Sequence, residues 1–122
     1  MKSSVPSKGL EWTNVVLGAT LFGSAATFAD VPAAVWNAVI MGTAITWCSL
    51  AALKRYSAGK EWLNITFGSW TIVAPFALGF GTVPVASSIH IAVGVCVCTV
   101  AAMQIVIGRA KPAPARVETV KR

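Results

Sequence analysis

Charge is scarce in this chain. Its 122 residues include four Asp and Glu, ten Lys and Arg and a single His, so charged residues make up 11%, against roughly 25% in an average soluble domain. With 56% hydrophobic residues and a mean hydropathy of +0.71, there is too little polar surface to cover a water-soluble fold. One His excludes bis-histidine haem ligation within the chain. Of the three Cys, Cys96 and Cys98 are two apart; on a helix they point about 200° away from each other and cannot act as a reactive Cys-x-x-Cys pair. No Gly-rich phosphate loop, nucleophile elbow or adjacent carboxylate pair occurs, and no alternating pattern suggests a barrel. The expectation is a chain that is not an enzyme and carries no cofactor.

What is present is long apolar runs. They extend over 12–29, 33–53, 62–80 and 85–107, and none contains Asp, Glu, Lys or Arg. Each is close to the roughly 20 residues that a helix needs to cross about 30 Å of hydrocarbon. Backbone groups left unpaired in lipid cost several kcal/mol each, so the runs are read as helices. The fold class predicted is all-α, a polytopic membrane protein with four transmembrane helices. A signal peptide is the rival for the first run, because Lys2 and Lys8 precede it and Ala26-Thr27-Phe28-Ala29 resembles a cleavage site. The internal counterpart of that run argues for a true span.

That counterpart is a duplication. Glu11-Trp12-Thr13-Asn14 returns as Glu61-Trp62-Leu63-Asn64, and each copy reaches a glycine four residues on, at Gly18 and Gly68. The organisation predicted is a segment 1–10, repeat 1 over 11–53, a basic loop 54–60, repeat 2 over 61–107 and a basic tail 108–122. All ten Lys and Arg fall before the first run, between the second and third, or after the fourth. The connections around Asp30 and around Gly81–Pro84 have none, so the positive-inside rule puts both termini in the cytoplasm, with a bacterial cytoplasmic membrane as the expected location. The net charge of +6 then requires no nucleic-acid partner, since basic helix ends meet anionic headgroups.

Local chemistry supports these limits. Pro32 and Pro84 stand at first helical positions, where a missing N–H costs nothing. Trp12 and Trp62 are read as interface anchors, and Glu11 and Glu61 as carboxylates at the positive ends of helix dipoles. Asn14 and Asn64 are placed to hydrogen-bond between helices, and Gly18 and Gly68 to allow close packing. Pro75, inside the third helix, removes the bond to Thr71 and predicts a kink that Ala25 in repeat 1 does not share. His90 is the candidate metal ligand, but it has no second ligand at useful spacing.

The motif Glu-Trp-x-Asn followed by Gly, then Ala74-Pro75-Phe76 and Leu78-Gly79-Phe80, then a second helix with Trp36-Asn37 and Gly42, resembles the SPW-repeat membrane proteins. The triplet is Ser24-Ala25-Ala26 in repeat 1, a departure from Ser-Pro-Trp in both copies. The resemblance implies a small membrane protein of two repeats and four helices, and adds no catalytic residue. Two functions remain: a structural or accessory subunit, partnered by the bilayer and by other membrane proteins or its own copies, and a small-solute transporter working as an oligomer. Transport is disfavoured here because coupling needs an ionisable group inside the membrane, and Glu11 is read as preceding its helix.

Overall fold

The structure, a computed structural model, describes residues 6–110; the segments 1–5 and 111–122, with Lys2 and most of the basic tail, lie outside the described residues. Four α-helices account for nearly all of it, with no strand among the described residues. They are α1 (Lys8–Ser24), α2 (Pro32–Lys54), α3 (Ala58–Ala77) and α4 (Pro84–Ala110), with a 3-10 segment (Ala25–Phe28) prolonging α1. At 23 and 27 residues, α2 and α4 span about 34 and 40 Å at the usual rise, and both are long and apolar enough to cross a membrane. The first helix is shorter as an α-helix than its apolar run, and the third starts and stops earlier than its run.

Local signals explain the limits. The Ser7 hydroxyl accepts from the Leu10 N–H at 3.2 Å and the Ser57 hydroxyl from the Lys60 N–H at 3.4 Å, so the helix caps are repeated serines. Glu11 and Glu61 therefore stand a full turn inside their helices. α3 ends two residues after Pro75, and Gly79 at φ +85° takes the left-handed position that a helix C-terminus favours for glycine. The expected difference between the repeats falls in the other copy. Repeat 1, lacking the proline, tightens to 3-10 geometry at Ala25. There the Ser24 and Thr27 hydroxyls donate to the carbonyls of Leu21 (2.8 Å) and Ser24 (2.7 Å), side-chain bonding that competes with regular helix.

Helices within a repeat pack most closely, α1 on α2 and α3 on α4; α1 on α4 and α2 on α3 complete the arrangement. The glycines permit this. A Cβ on Gly42 would lie 2.7 Å from the Gly18 carbonyl oxygen, and one on Gly94 2.6 Å from that of Gly68. The facing pairs Gly18–Gly42 and Gly68–Gly94 are equivalent contacts of the two repeats, and α1 corresponds to α3, and α2 to α4, under an approximate twofold. Consecutive helices run antiparallel. Lys8, Lys54, Arg55, Lys60 and Arg109 consequently gather at one end and Asp30 at the other.

The distribution of side chains is inverted relative to a soluble protein. Glu11, Asn14, Ser49, Glu61, Asn64, Thr71, His90 and Gln104 are fully enclosed, whereas every Trp is turned outward, Trp47 at 73% exposure and Trp36 at 66%. Alanine dominates the apolar interior, with Phe28, Phe80, Leu21 and Ile45 as its larger members.

Candidate functional site: a buried carboxyl pair between the repeats

On α1 the buried positions are Glu11, Asn14, Gly18 and Leu21; on α3 the equivalent Glu61, Asn64, Gly68 and Thr71 are buried, as are Ala74 and Pro75 beyond them. Spacings of three, four and three residues put each set on one stripe facing the other helices. Trp12 and Trp62 fall outside the stripe and are half exposed. The duplicated motif is thus an inward polar-and-glycine stripe beside an outward tryptophan.

The two stripes meet at the basic end of the molecule. The Glu61 carboxyl lies within hydrogen-bonding reach of the Glu11 carboxyl, and both residues are 0% exposed. The Gln104 amide on α4 donates to Glu11 Oε2 at 2.8 Å and to the Ser7 carbonyl at 2.9 Å. One turn deeper, the Asn64 amide donates to the Ser49 hydroxyl on α2 at 2.9 Å. The remaining polar atoms, Glu11 Oε1, both Glu61 oxygens, both amide atoms of Asn14, Asn64 Oδ1 and Gln104 Oε1, have no hydrogen-bond donor or acceptor matched to them.

Broken symmetry accounts for this pattern. Gln104 corresponds to Ala52, and Ser49 to Ala101; both alanines are wholly buried. The partner that serves Glu11 has no counterpart for Glu61, and the one that serves Asn64 has none for Asn14. Duplicated carboxyls and amides are answered by unduplicated partners.

Tyr56, in the connection between α2 and α3, lies against the same cluster with its hydroxyl unpaired. Burial, reinforced by the Glu61 and Glu11 carboxyls, pushes it up to about 12 from the usual 10.0.

His90 lies at the opposite end. Its ring is enclosed between Phe28 and Phe80, with centroids 5.9 and 4.9 Å away, and Nδ1 donates to the Ala86 carbonyl at 2.8 Å. Ala38 is its counterpart in repeat 1. Among the described residues no three His, Cys, Asp or Glu side chains converge as a metal-ligand set. Cys98 donates to the Ile65 carbonyl at 3.4 Å while Cys96 faces outward, the divergence expected for residues two apart. The surface clefts are elsewhere: one of about 290 Å³ runs over Phe22, Gly42, Thr46 and Trp47 on the outer face of repeat 1.

The SPW repeat domain model matches residues 8–104, which takes in both stripes and Gln104. The chain belongs to the SPW repeat family. No curated protein and no solved structure matches it. Family membership and the two long apolar helices together indicate a membrane protein. In the SPW triplets, Pro75 and Ala25 are the buried middle residues, while Phe76 and Ala26 point outward. The triplet therefore repeats the alternation of the opening motif, one residue buried and the next turned outward.

Among the residues singled out from sequence, Glu11, Asn14, Gly18, Glu61, Asn64, Gly68 and Pro75 line the interior of the SPW repeats, while Trp12, Trp62 and His90 stand apart from the cluster. Gln104 and Ser49 escaped notice. The available signal was that Gln104, the chain's single glutamine, interrupts the fourth apolar run.

Proposed function

We propose that this protein is a non-catalytic integral membrane protein that crosses the bilayer four times, with its basic end in the cytoplasm, and serves as a structural or accessory subunit against other membrane helices or a second copy of itself. The observation that carries the reading is the inverted side-chain distribution. In lipid the apolar exterior carries no hydration penalty, while buried amides and carboxyls are better placed among one another than against hydrocarbon. The inversion extends to α1 and α3, which are less apolar than α2 and α4. Outward Trp12, Trp62 and Trp36 stand near helix ends, the depth at which an indole is half wet.

Purification in mild detergent tests this reading. Larger membrane proteins recovered in constant ratio with the chain support an accessory subunit; a monodisperse species in plain buffer overturns the membrane assignment.

One observation favours a second reading, a small-solute transporter acting as an oligomer. Glu11 and Glu61 lie inside the helices rather than ahead of them, which supplies the enclosed ionisable group that coupled transport uses. Solute uptake by proteoliposomes that disappears in E61Q would decide for it.

A further inference from the structure

The carboxyl contact between the repeats has a requirement that its surroundings do not meet. Two carboxylate anions have four acceptors and no donor between them, and enclosing both without compensation is strongly unfavourable. The groups facing the pair can be named from every element. On α1, Lys8 is exposed; on α2, Cys48 and Ser49 are uncharged and Lys54 is exposed. In the connection, Arg55 is exposed and Tyr56 offers a neutral hydroxyl; on α3, the Lys60 ammonium is held by the Arg55 carbonyl at 2.8 Å. On α4, Gln104 contributes an amide and Arg109 is exposed. Among the described residues no cation is paired with either carboxyl.

The two acids are also unequal. Gln104 donates to Glu11, whereas Glu61 receives nothing because its symmetry mate to Gln104 is Ala52. A hydrogen-bonded carboxylate keeps its charge more readily than an unassisted one. We propose that the Glu11–Glu61 pair is a proton-binding site that holds one proton from solution at neutral pH, carried on Glu61 and donated to Glu11. The contact is then an ordinary O–H to O⁻ bond linking α1 to α3, and one negative charge remains rather than two. Asn14, fully buried and one turn along the same stripe as Glu11, is itself unpaired at both amide atoms. The inference rests on neither functional reading, because a subunit and a carrier would hold the proton alike.

Infrared spectroscopy on the full chain in nanodiscs tests it. At neutral pH the wild type should show a protonated-carboxyl C=O band that shifts in D₂O. The band should vanish in E61Q, and also in E11Q, where an amide replaces the acceptor and donates to an ionised Glu61. Survival of the band in E11Q means a solitary neutral acid and overturns the pair; absence of the band in the wild type overturns the bound proton. A second readout uses no variant: wild-type Tm should fall as pH rises from neutral into the alkaline range below Tyr56 ionisation, because deprotonation leaves two anions face to face. E61Q should show no such fall, and an equal fall in E61Q also counts against the site.

Discussion

Gly18 and Gly42, and again Gly68 and Gly94, bring carbonyl oxygens to where a side chain would have to start. A Cβ on Gly94 would lie 2.6 Å from backbone oxygen and 2.6 Å from Ile72 Cγ1, so neither helix can accommodate it without moving. Gly94→Val should therefore cost about 1–3 kcal/mol, as overpacking of a tight interior does. Gly23 has nothing within 4 Å, and Gly23→Ala should instead gain up to about 1 kcal/mol through helix propensity. Thermal unfolding in a single detergent, read for both variants, checks the contrast; equal losses would mean that the close approach is not what holds the helices.

The unequal asparagines yield a second prediction at this scale. Asn64 donates to Ser49, but Asn14 has Ala101 in the corresponding place. Asn64→Ala should cost about 0.6 kcal/mol, the average for a hydrogen bond between membrane helices, and Ala101→Ser should gain about as much by giving Asn14 the hydroxyl it lacks. Chemical denaturation of both variants beside the wild type measures these shifts.

At the scale of elements, the connection between α2 and α3 is the one whose chemistry reports on the interior. Tyr56, the chain's single tyrosine, has its hydroxyl pushed up to about 12, chiefly by burial and further by the nearby carboxyls. Because the folded value exceeds the unfolded one, the stabilisation tied to the neutral hydroxyl is complete below about pH 10 and is lost as pH rises through about 12. Tyrosinate absorbance should thus appear near pH 12 in the folded protein and near pH 10 once it is unfolded. Ionisation at the lower pH in folded protein would place Tyr56 in water rather than against the carboxyl pair.

Element limits also show what local sequence conveys. Pro32 and Pro84 begin α2 and α4 where first-turn prolines belong, because the fixed φ and missing N–H act on the backbone at once. Pro75 is a weaker guide: it lies two residues before the end of α3, so the departure from regular helix appears instead where Ser24 and Thr27 bond back to the chain. Hydroxyl back-bonding depends on rotamers, and apolar runs carry no sign of it.

For the whole molecule, antiparallel packing of consecutive helices collects the described basic residues at one end. If that end is cytoplasmic, single cysteines at positions 55 and 109 in a cysteine-free background should be blocked only by a permeant thiol reagent, and one at position 30 by an impermeant reagent added outside. Labelling of 55 and 109 from opposite sides would rule out an even number of crossings between them.

The sequence by itself determined the helical class, the duplication and the gathering of positive charge, because each follows from length, repetition or order along the chain. Only the tertiary structure decided which way the side chains face. Helices apolar on nearly every side have no amphipathic stripe to read, so Glu11 looked like a cap when it is a core residue. The partners that distinguish Glu11 from Glu61 lie far away in sequence, on α2 and α4, and where they meet depends on how closely the glycines let those helices approach.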